Sequence, residues 1–309
     1  MLMPLLRNGI PKPISKIRAR FSTASSIGAT LRDAKLAYKT YGSLNAQGDN
    51  AIVYPTWFSG RHWDNEWLIG SDMGLDPSKY FIIVPNMLGN GLSTSPSNSA
   101  PPYDKARFPN VRVQDNVRAQ HKLVTEEFGI QTLKLVFLEG VKAALASDDA
   151  FQSGWYNQLP TKGLRAAARV YAGWGFSQAF YWNETWRELG FSSLEDFLVG
   201  YWEGFFLDDR DPNNLLAMLW TWKNGNVGLT PGFDGSLERA LASIQAKAIV
   251  MPAEKDLYFP PEDEEYETSF MPNAKLRIIP GVWGHFAGTG LNPVDAKFID
   301  DAVKELLNS

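Results

Sequence analysis

Asp256 and His285 are the residues whose types and spacing invite chemistry. A histidine serves as a general base near neutral pH when a carboxylate accepts from its other ring nitrogen and so fixes its tautomer. Asp256 follows the apolar run Ala248-Ile249-Val250-Met251, which Pro252-Ala253-Glu254-Lys255 breaks. His285 closes Gly281-Val282-Trp283-Gly284-His285, directly after a second run, Leu276-Arg277-Ile278-Ile279-Pro280. Short apolar runs of this kind read as buried parallel strands, and carboxyl edges of such strands are where reacting side chains converge. Acid then base, about 30 residues apart at two successive strand ends, is how a nucleophile–acid–base triad presents its last two members. The plainer alternative is a turn aspartate and a histidine packed behind Trp283.

The third member is missing where it is expected. Gly129-Ile130-Gln131-Thr132-Leu133-Lys134-Leu135-Val136 reads as the turn and strand that should lead into a GxSxG elbow, but Phe137-Leu138-Glu139-Gly140 follows instead. Gly175-Phe176-Ser177-Gln178-Ala179 fits a relaxed GxSxA pattern, which makes Ser177 the rival nucleophile. An elbow needs a strand before its serine, whereas Leu164, Ala168 and Tyr171 in the alanine-rich stretch upstream recur at helical spacing. Ser177 is therefore an unlikely substitute. The chain has no cysteine, which excludes disulfides, thiol catalysis and thiolate metal sites.

The elements that would hold these residues are those of an α/β protein. Alternation in Leu36-Ala37-Tyr38-Lys39-Thr40-Tyr41 predicts a half-exposed strand, and Ala51-Ile52-Val53-Tyr54-Pro55 and Tyr80-Phe81-Ile82-Ile83-Val84-Pro85 predict central parallel ones. The loop after the first of these, Thr56-Trp57-Phe58-Ser59-Gly60, is where one backbone N–H of an oxyanion hole would arise, so Thr56 and Trp57 are candidate donors. Val113, Val117, Val124 and Phe128 mark one face of a helix over about 111–128, and His121 on that face reads as a buried, hydrogen-bonded histidine. From Phe151 to Leu229 the pattern is helical, with starts at Ser192-Ser193-Leu194-Glu195 and Asp211-Pro212. A last helix opens at Asn292-Pro293 and turns Phe298, Ala302, Val303 and Leu306 inward.

Other chemistries find little support. Gly89-Asn90-Gly91 has Thr94 where a dinucleotide fingerprint needs its third glycine, and no phosphate-cradling Gly-Lys-Ser is present. Three histidines without an HExxH pair do not suggest a metal, and Asp209-Arg210-Asp211-Pro212-Asn213 lacks both the glycine and the glutamate of a calcium loop. A net charge of −4 gives no reason to expect nucleic acid or anionic membrane as partner. With 309 residues, 44% of them apolar and no run near the roughly 20 needed to cross a bilayer, a soluble globular chain is expected. Residues 1–32 are basic and acid-free, the composition of a mitochondrial transit peptide, but Pro4, Pro11 and Pro13 interrupt the helix such a signal needs, which favours a cytoplasmic chain. Of eleven tryptophans, seven fall between Trp155 and Trp222; they suit either an aromatic layer over a pocket or a helical core built from large residues.

Taken together, Asp33-Ala34-Lys35-Leu36-Ala37-Tyr38-Lys39-Thr40-Tyr41-Gly42, the Gly89-Asn90-Gly91 loop, Phe108-Pro109, Gln114-Asp115-Asn116-Val117, Ala172-Gly173-Trp174 and Glu254-Lys255-Asp256-Leu257-Tyr258-Phe259-Pro260-Pro261 resemble the homoserine O-acetyltransferase-like branch of the α/β-hydrolases. The resemblance covers about residues 28 to 308. It implies an α/β-hydrolase fold, a mostly parallel sheet with flanking helices, in which 28–136 and 232–309 form the core and 137–231 an inserted helical cap; 1–27 is a basic N-terminus, either disordered or a targeting segment. It implies acyl transfer from a donor such as acyl-CoA, through a serine, to a hydroxyl acceptor, with no bound cofactor. Asp256 matches the family's triad acid and His285 its base, and Arg169 resembles an arginine that seats the acceptor's carboxylate.

Relatives of that kind carry an elbow, its helix and another strand between the positions of Val136 and Phe137, roughly 30 to 45 residues by the needs of a parallel crossover. Loss of one block, with both flanks recognisable, is the mark of a skipped exon, a splice variant or an erroneous gene model. The sheet is then expected to be incomplete and the chain catalytically impaired. Two further possibilities are a non-catalytic binding or regulatory homologue, associating with itself or with a full-length paralogue, and a serine hydrolase using another serine.

Overall fold

Strands come first where β-branched and aromatic residues cluster. A computed structural model describes residues 21–24, 30–124 and 137–309. Among them, β1 (Phe21–Ala24) and β2 (Thr30–Ala34) form an antiparallel pair. β3 (Tyr38–Tyr41), β4 (Ala51–Val53) and β5 (Phe81–Pro85) form a second sheet in the order β3-β5-β4, with β3 antiparallel and β4 parallel to β5. β6 (Ala248–Val250) and β7 (Ala274–Leu276) make a parallel pair of their own. The pairing outlasts β7, because Arg277 N–H donates to the Val250 carbonyl and Ile279 N–H to that of Pro252. The run Leu276–Ile279 thus lies in the ladder, as its composition predicts, although regular strand ends at Leu276.

The second and third sheets do not pair with each other among the described residues. β5 has a strand on each side, and its Ile82 and Val84 are fully buried. β4 and β6 each have one partner, and their apolar side chains Ile52, Val53, Ile249 and Val250 are only half-buried. Parallel strands are stable when neighbours and helices cover them all round, and among the described residues β4 and β6 are each paired along one edge. The expected nucleophile strand, Leu133–Val136, lies outside the described residues, as do the chain's first 20 positions and the side chain of His121.

Helices supply the other layer. α1 (Val113–Val124) is tied to the sheet by Asn116, whose buried side-chain oxygen accepts from Leu88 N–H at 2.7 Å. The expected helix over 111–128 is described as far as Val124. α2 (Phe137–Ala146) packs on α3 (Thr161–Gly175), which buries Leu164, Ala167, Ala168, Tyr171 and Ala172 at helical spacing. The approach is close because Gly163 is there: a Cβ would lie 2.4 Å from the Leu145 carbonyl oxygen. Ser177 caps α4 (Gln178–Trp182), and Ser193 caps α5 (Leu194–Phe197), which runs through a π-helical turn at Leu198–Glu203 into α6 (Gly204–Leu207). Asp211 caps α7 (Pro212–Lys223), with Pro212 at the first helical position, so the aspartate-rich stretch before it is a helix start. α8 (Leu237–Ala242), α9 (Pro261–Ser269) and α10 (Pro293–Leu307) complete the set, the last capped by Asn292 as its sequence predicts. Trp186, Trp202, Phe176, Phe180, Phe197 and Phe206 are buried together with Tyr258 and Trp283. Large aromatics therefore make the core between helices α3 to α6 and the loop carrying His285.

One buried acid makes stability depend on pH. Asp295 in the first turn of α10 is 2% exposed, its Oδ2 has no hydrogen-bond partner among the described residues, and burial pushes its carboxyl up to about 6. An acid whose pKa is higher folded than unfolded binds its proton more tightly when folded, so its contribution to stability falls as pH rises from about 4 to about 6 and is level above. Asp295→Asn is expected to stabilise the chain by about 1–3 kcal/mol at pH 7.5 and to leave it unchanged below pH 4, as urea unfolding at the two pH values would measure.

Candidate active site

Asp256 lies in a turn beyond β6, its N–H donating to the Ala253 carbonyl at 3.0 Å. The carboxylate is 7% exposed yet fully partnered. Oδ1 accepts from the N–H groups of Tyr258 at 2.7 Å and Phe259 at 3.1 Å, which locks the side chain in one orientation. Oδ2 then faces His285 Nδ1 at 2.9 Å. An ionised carboxylate only accepts, so in the neutral imidazole Nδ1 carries the proton and Nε2 keeps its lone pair.

His285 stands in a short 3₁₀ turn, Gly284–Thr289. Gly284 has φ +58°, and a Cβ there would sit 2.8 Å from Ser177 N, so only glycine lets the loop press against the α3–α4 junction. Tyr258 meets the imidazole edge-on at 4.8 Å, and Phe259 leans on it at 5.3 Å. Trp222 of α7 stacks on Phe259 at 6.0 Å, and Phe58, from the loop after β4, packs against both Trp222 and Tyr171. Tyr258 is wholly buried, its phenol held protonated by burial and donating to the Tyr171 carbonyl at 3.0 Å. The imidazole is thus clamped by rings while a third of the side chain stays exposed. No group among the described residues hydrogen-bonds its Nε2.

The other sequence candidates take different places. Ser177 is 2% exposed; its hydroxyl donates to the Val282 carbonyl and accepts from Phe180 N–H at 3.0 Å. It is a helix cap that also pins the loop leading to His285. The Thr56 N–H donates to the Pro85 carbonyl at 3.2 Å and its Oγ1 accepts from Met87 N–H, so the amide expected to serve an oxyanion is spent in the scaffold. The Trp57 N–H has no acceptor among the described residues and is the remaining one of the two candidate donors. Arg169 is engaged at all three nitrogens, by Glu203 at 2.5 Å through Nε and by Glu195 through Nη1 and Nη2. An arginine held by two carboxylates is not reserved for an acceptor's carboxylate. His62 is buried beside Trp63, its Nδ1 facing Asn86 Nδ2 at 3.1 Å, which makes it part of the loop framework.

Sequence reasoning missed the ring clamp. Its signal was Tyr258-Phe259 directly after Asp256, two aromatics whose N–H groups a strand-end aspartate can accept from, but Trp222 and Phe58 come from segments far away in the chain. The arrangement can hold a neutral imidazole, a third of its side chain exposed, beside an apolar wall, which suits proton abstraction by Nε2.

No protein-family model matches the sequence. An ethyl acetate hydrolase of Pseudomonas veronii is 36% identical, over 91% of this chain and 92% of that protein. The match runs over 327 positions, more than the 309 residues here, so the relative carries residues without counterpart in this chain. A homoserine O-acetyltransferase of Chlorobium chlorochromatii is 26% identical over 92% of each chain. Among solved structures, an acetylester hydrolase from Corynebacterium glutamicum superposes with a TM-score of 0.88 at 34% identity, covering 93% of this chain and 94% of the other.

Proposed function

The chain belongs to the α/β-hydrolase family that includes these esterases and homoserine O-acetyltransferases, and we propose that it presents an acyl-ester site with Asp256 as the orienting acid and His285 as the base. The observation that carries the reading is the 2.9 Å contact between His285 Nδ1 and Asp256 Oδ2, with both groups otherwise held by backbone and rings. The Trp57 N–H is the proposed donor to a developing oxyanion. Short acyl esters suit the apolar wall of Phe58, Trp222 and Phe259, and hydrolysis is favoured over transfer to an amino-acid hydroxyl because Arg169 is already paired with Glu195 and Glu203. Acyl-CoA stays a possible donor, since a thioester presents the same carbonyl.

The serine nucleophile is lacking in this reading. GxSxG is absent from the sequence, Ser177 is committed as a cap, and no serine or threonine hydroxyl among the described residues hydrogen-bonds His285. Turnover through an acyl-serine is not expected on this reading. The half-buried edges of β4 and β6 favour a second reading beside it, a binding homologue that completes its sheet with another chain, such as a full-length paralogue. Incubation with a serine-directed fluorophosphonate is expected to leave the intact mass unchanged; an adduct on Ser177 or any other serine would overturn the assignment.

A further inference from the structure

We propose that His285 acts as a general base with no covalent partner, so that the chain moves acyl groups in one displacement instead of two. The inference rests on the acyl-ester reading of the Asp256–His285 pair and departs from it in the order of bond making. Nε2 has its lone pair available, because Asp256 Oδ2 fixes the proton on Nδ1. Its ring cannot swing freely, being held by Tyr258 and Phe259, and it is exposed enough for water or an alcohol to reach it. A serine beside Nε2 would normally occupy that lone pair. Among the described residues nothing does, so the acceptor itself can take the position.

The bonds balance without any further reagent. A water or primary alcohol hydrogen-bonds Nε2 and gives up its proton as its oxygen attacks the acyl carbonyl carbon. The carbonyl π pair moves onto oxygen, where the Trp57 N–H donates to it. Collapse of the tetrahedral species expels the alkoxide or thiolate, which takes the proton back from Nε2–H. The imidazole ends neutral, and the products are an acid or a new ester together with the released alcohol or thiol. Suitable substrates are short acyl esters and thioesters with good leaving groups, since the second oxyanion donor, which the elbow would supply, is lacking.

Positioned general bases contribute about 10²- to 10⁴-fold. The full chain is therefore expected to hydrolyse p-nitrophenyl acetate faster than buffer by about that factor, and His285→Gln to return the rate to the buffer level. Initial rates with n-propanol as acceptor at several ester concentrations should give intersecting reciprocal plots, no burst of p-nitrophenol and a normal solvent deuterium effect. Parallel plots with a burst would mean a covalent intermediate and would overturn the proposal, as would a rate that His285→Gln leaves unchanged. Circular dichroism of the variant reports whether it is folded, and Asp256→Asn serves as a second variant that should also lose rate. The three histidines of the sequence make the His285 ring proton assignable by comparison with His285→Gln. Movement of that resonance on adding ethyl acetate, without turnover, sinks the single displacement and leaves the ester site standing; no movement and no turnover sinks both.

Discussion

Inserting the strand–serine–helix segment of a family esterase between Val136 and Phe137 is expected to raise ester hydrolysis by about 10³- to 10⁶-fold, the range separating a complete triad from its residual machinery. The proposed acid and base are already positioned for that gain. Asp256 is held by two backbone N–H groups, the His285 ring is clamped, and no described group hydrogen-bonds Nε2. The graft should also supply the second oxyanion donor, from the residue after the serine, and convert the kinetics to a burst with fluorophosphonate-sensitive turnover. A second consequence follows from packing. With strands added between β4 and β6, Ile52, Val53, Ile249 and Val250 should become buried, so the urea midpoint should rise along with activity. The measurements are kcat/KM for p-nitrophenyl acetate and the unfolding midpoint of the same preparations. A graft that folds more stably yet gains no activity, or whose activity survives His285→Gln, would show that the Asp256–His285 pair is not the base of an acyl site.

What the sequence made legible and what it hid divide along a physical line. Asp256 and His285 could be paired on paper because each closes an apolar run, and the ends of neighbouring parallel strands lie close together whatever the loops do. The caps at Ser193, Asp211 and Asn292 could be read for a similar reason, since a capping side chain reaches only two or three residues ahead. Ser177 shows how the same local rule competes with a motif. The GxSxA pattern and an N-cap use one letter for different jobs, and the N–H of Phe180, three residues on, takes the hydroxyl. Arg169 was illegible because its partners, Glu203 and Glu195, are 34 and 26 positions away and are delivered by the π-helical turn and the helix before it, which no periodicity announces. The engagement of the Thr56 N–H was hidden for a finer reason: nothing in a loop sequence says which amide turns back into the ladder. The tryptophan cluster, equally suited to a pocket lining or a core, divides. Trp186 and Trp202 are buried, Trp222 stands half-buried beside Phe259 and His285's wall, and Trp182 is 88% exposed.

That division sets up the second large effect, at Phe176. Its side chain is fully buried and stacks between Phe180 at 4.1 Å and Phe286 at 4.3 Å, with Phe197 and Trp202 edge-on to it. Phe180 belongs to α4 and Phe286 directly follows His285, so this ring joins the helical layer to the loop that carries the proposed base. Removing it takes away the transfer energy of a whole aromatic side chain and leaves a cavity that a crowded set of rings cannot collapse into. Phe176→Ala is expected to cost about 3–5 kcal/mol, whereas Trp182→Ala, a larger deletion on the same short stretch but in solvent, should stay within about 0.5 kcal/mol. Urea unfolding followed by tryptophan fluorescence measures the first, and far-ultraviolet circular dichroism the second, where the fluorophore itself is removed. The Phe176 change should also loosen Phe286 and broaden the His285 ring resonance, because the 3₁₀ turn carrying both residues is pressed against α3 and α4 by this contact and by the Ser177–Val282 hydrogen bond. Equal costs at the two positions would mean that helices α3 to α6 and the His285 loop do not share one core, and that the clamp on the imidazole is made by Tyr258 and Phe259 alone.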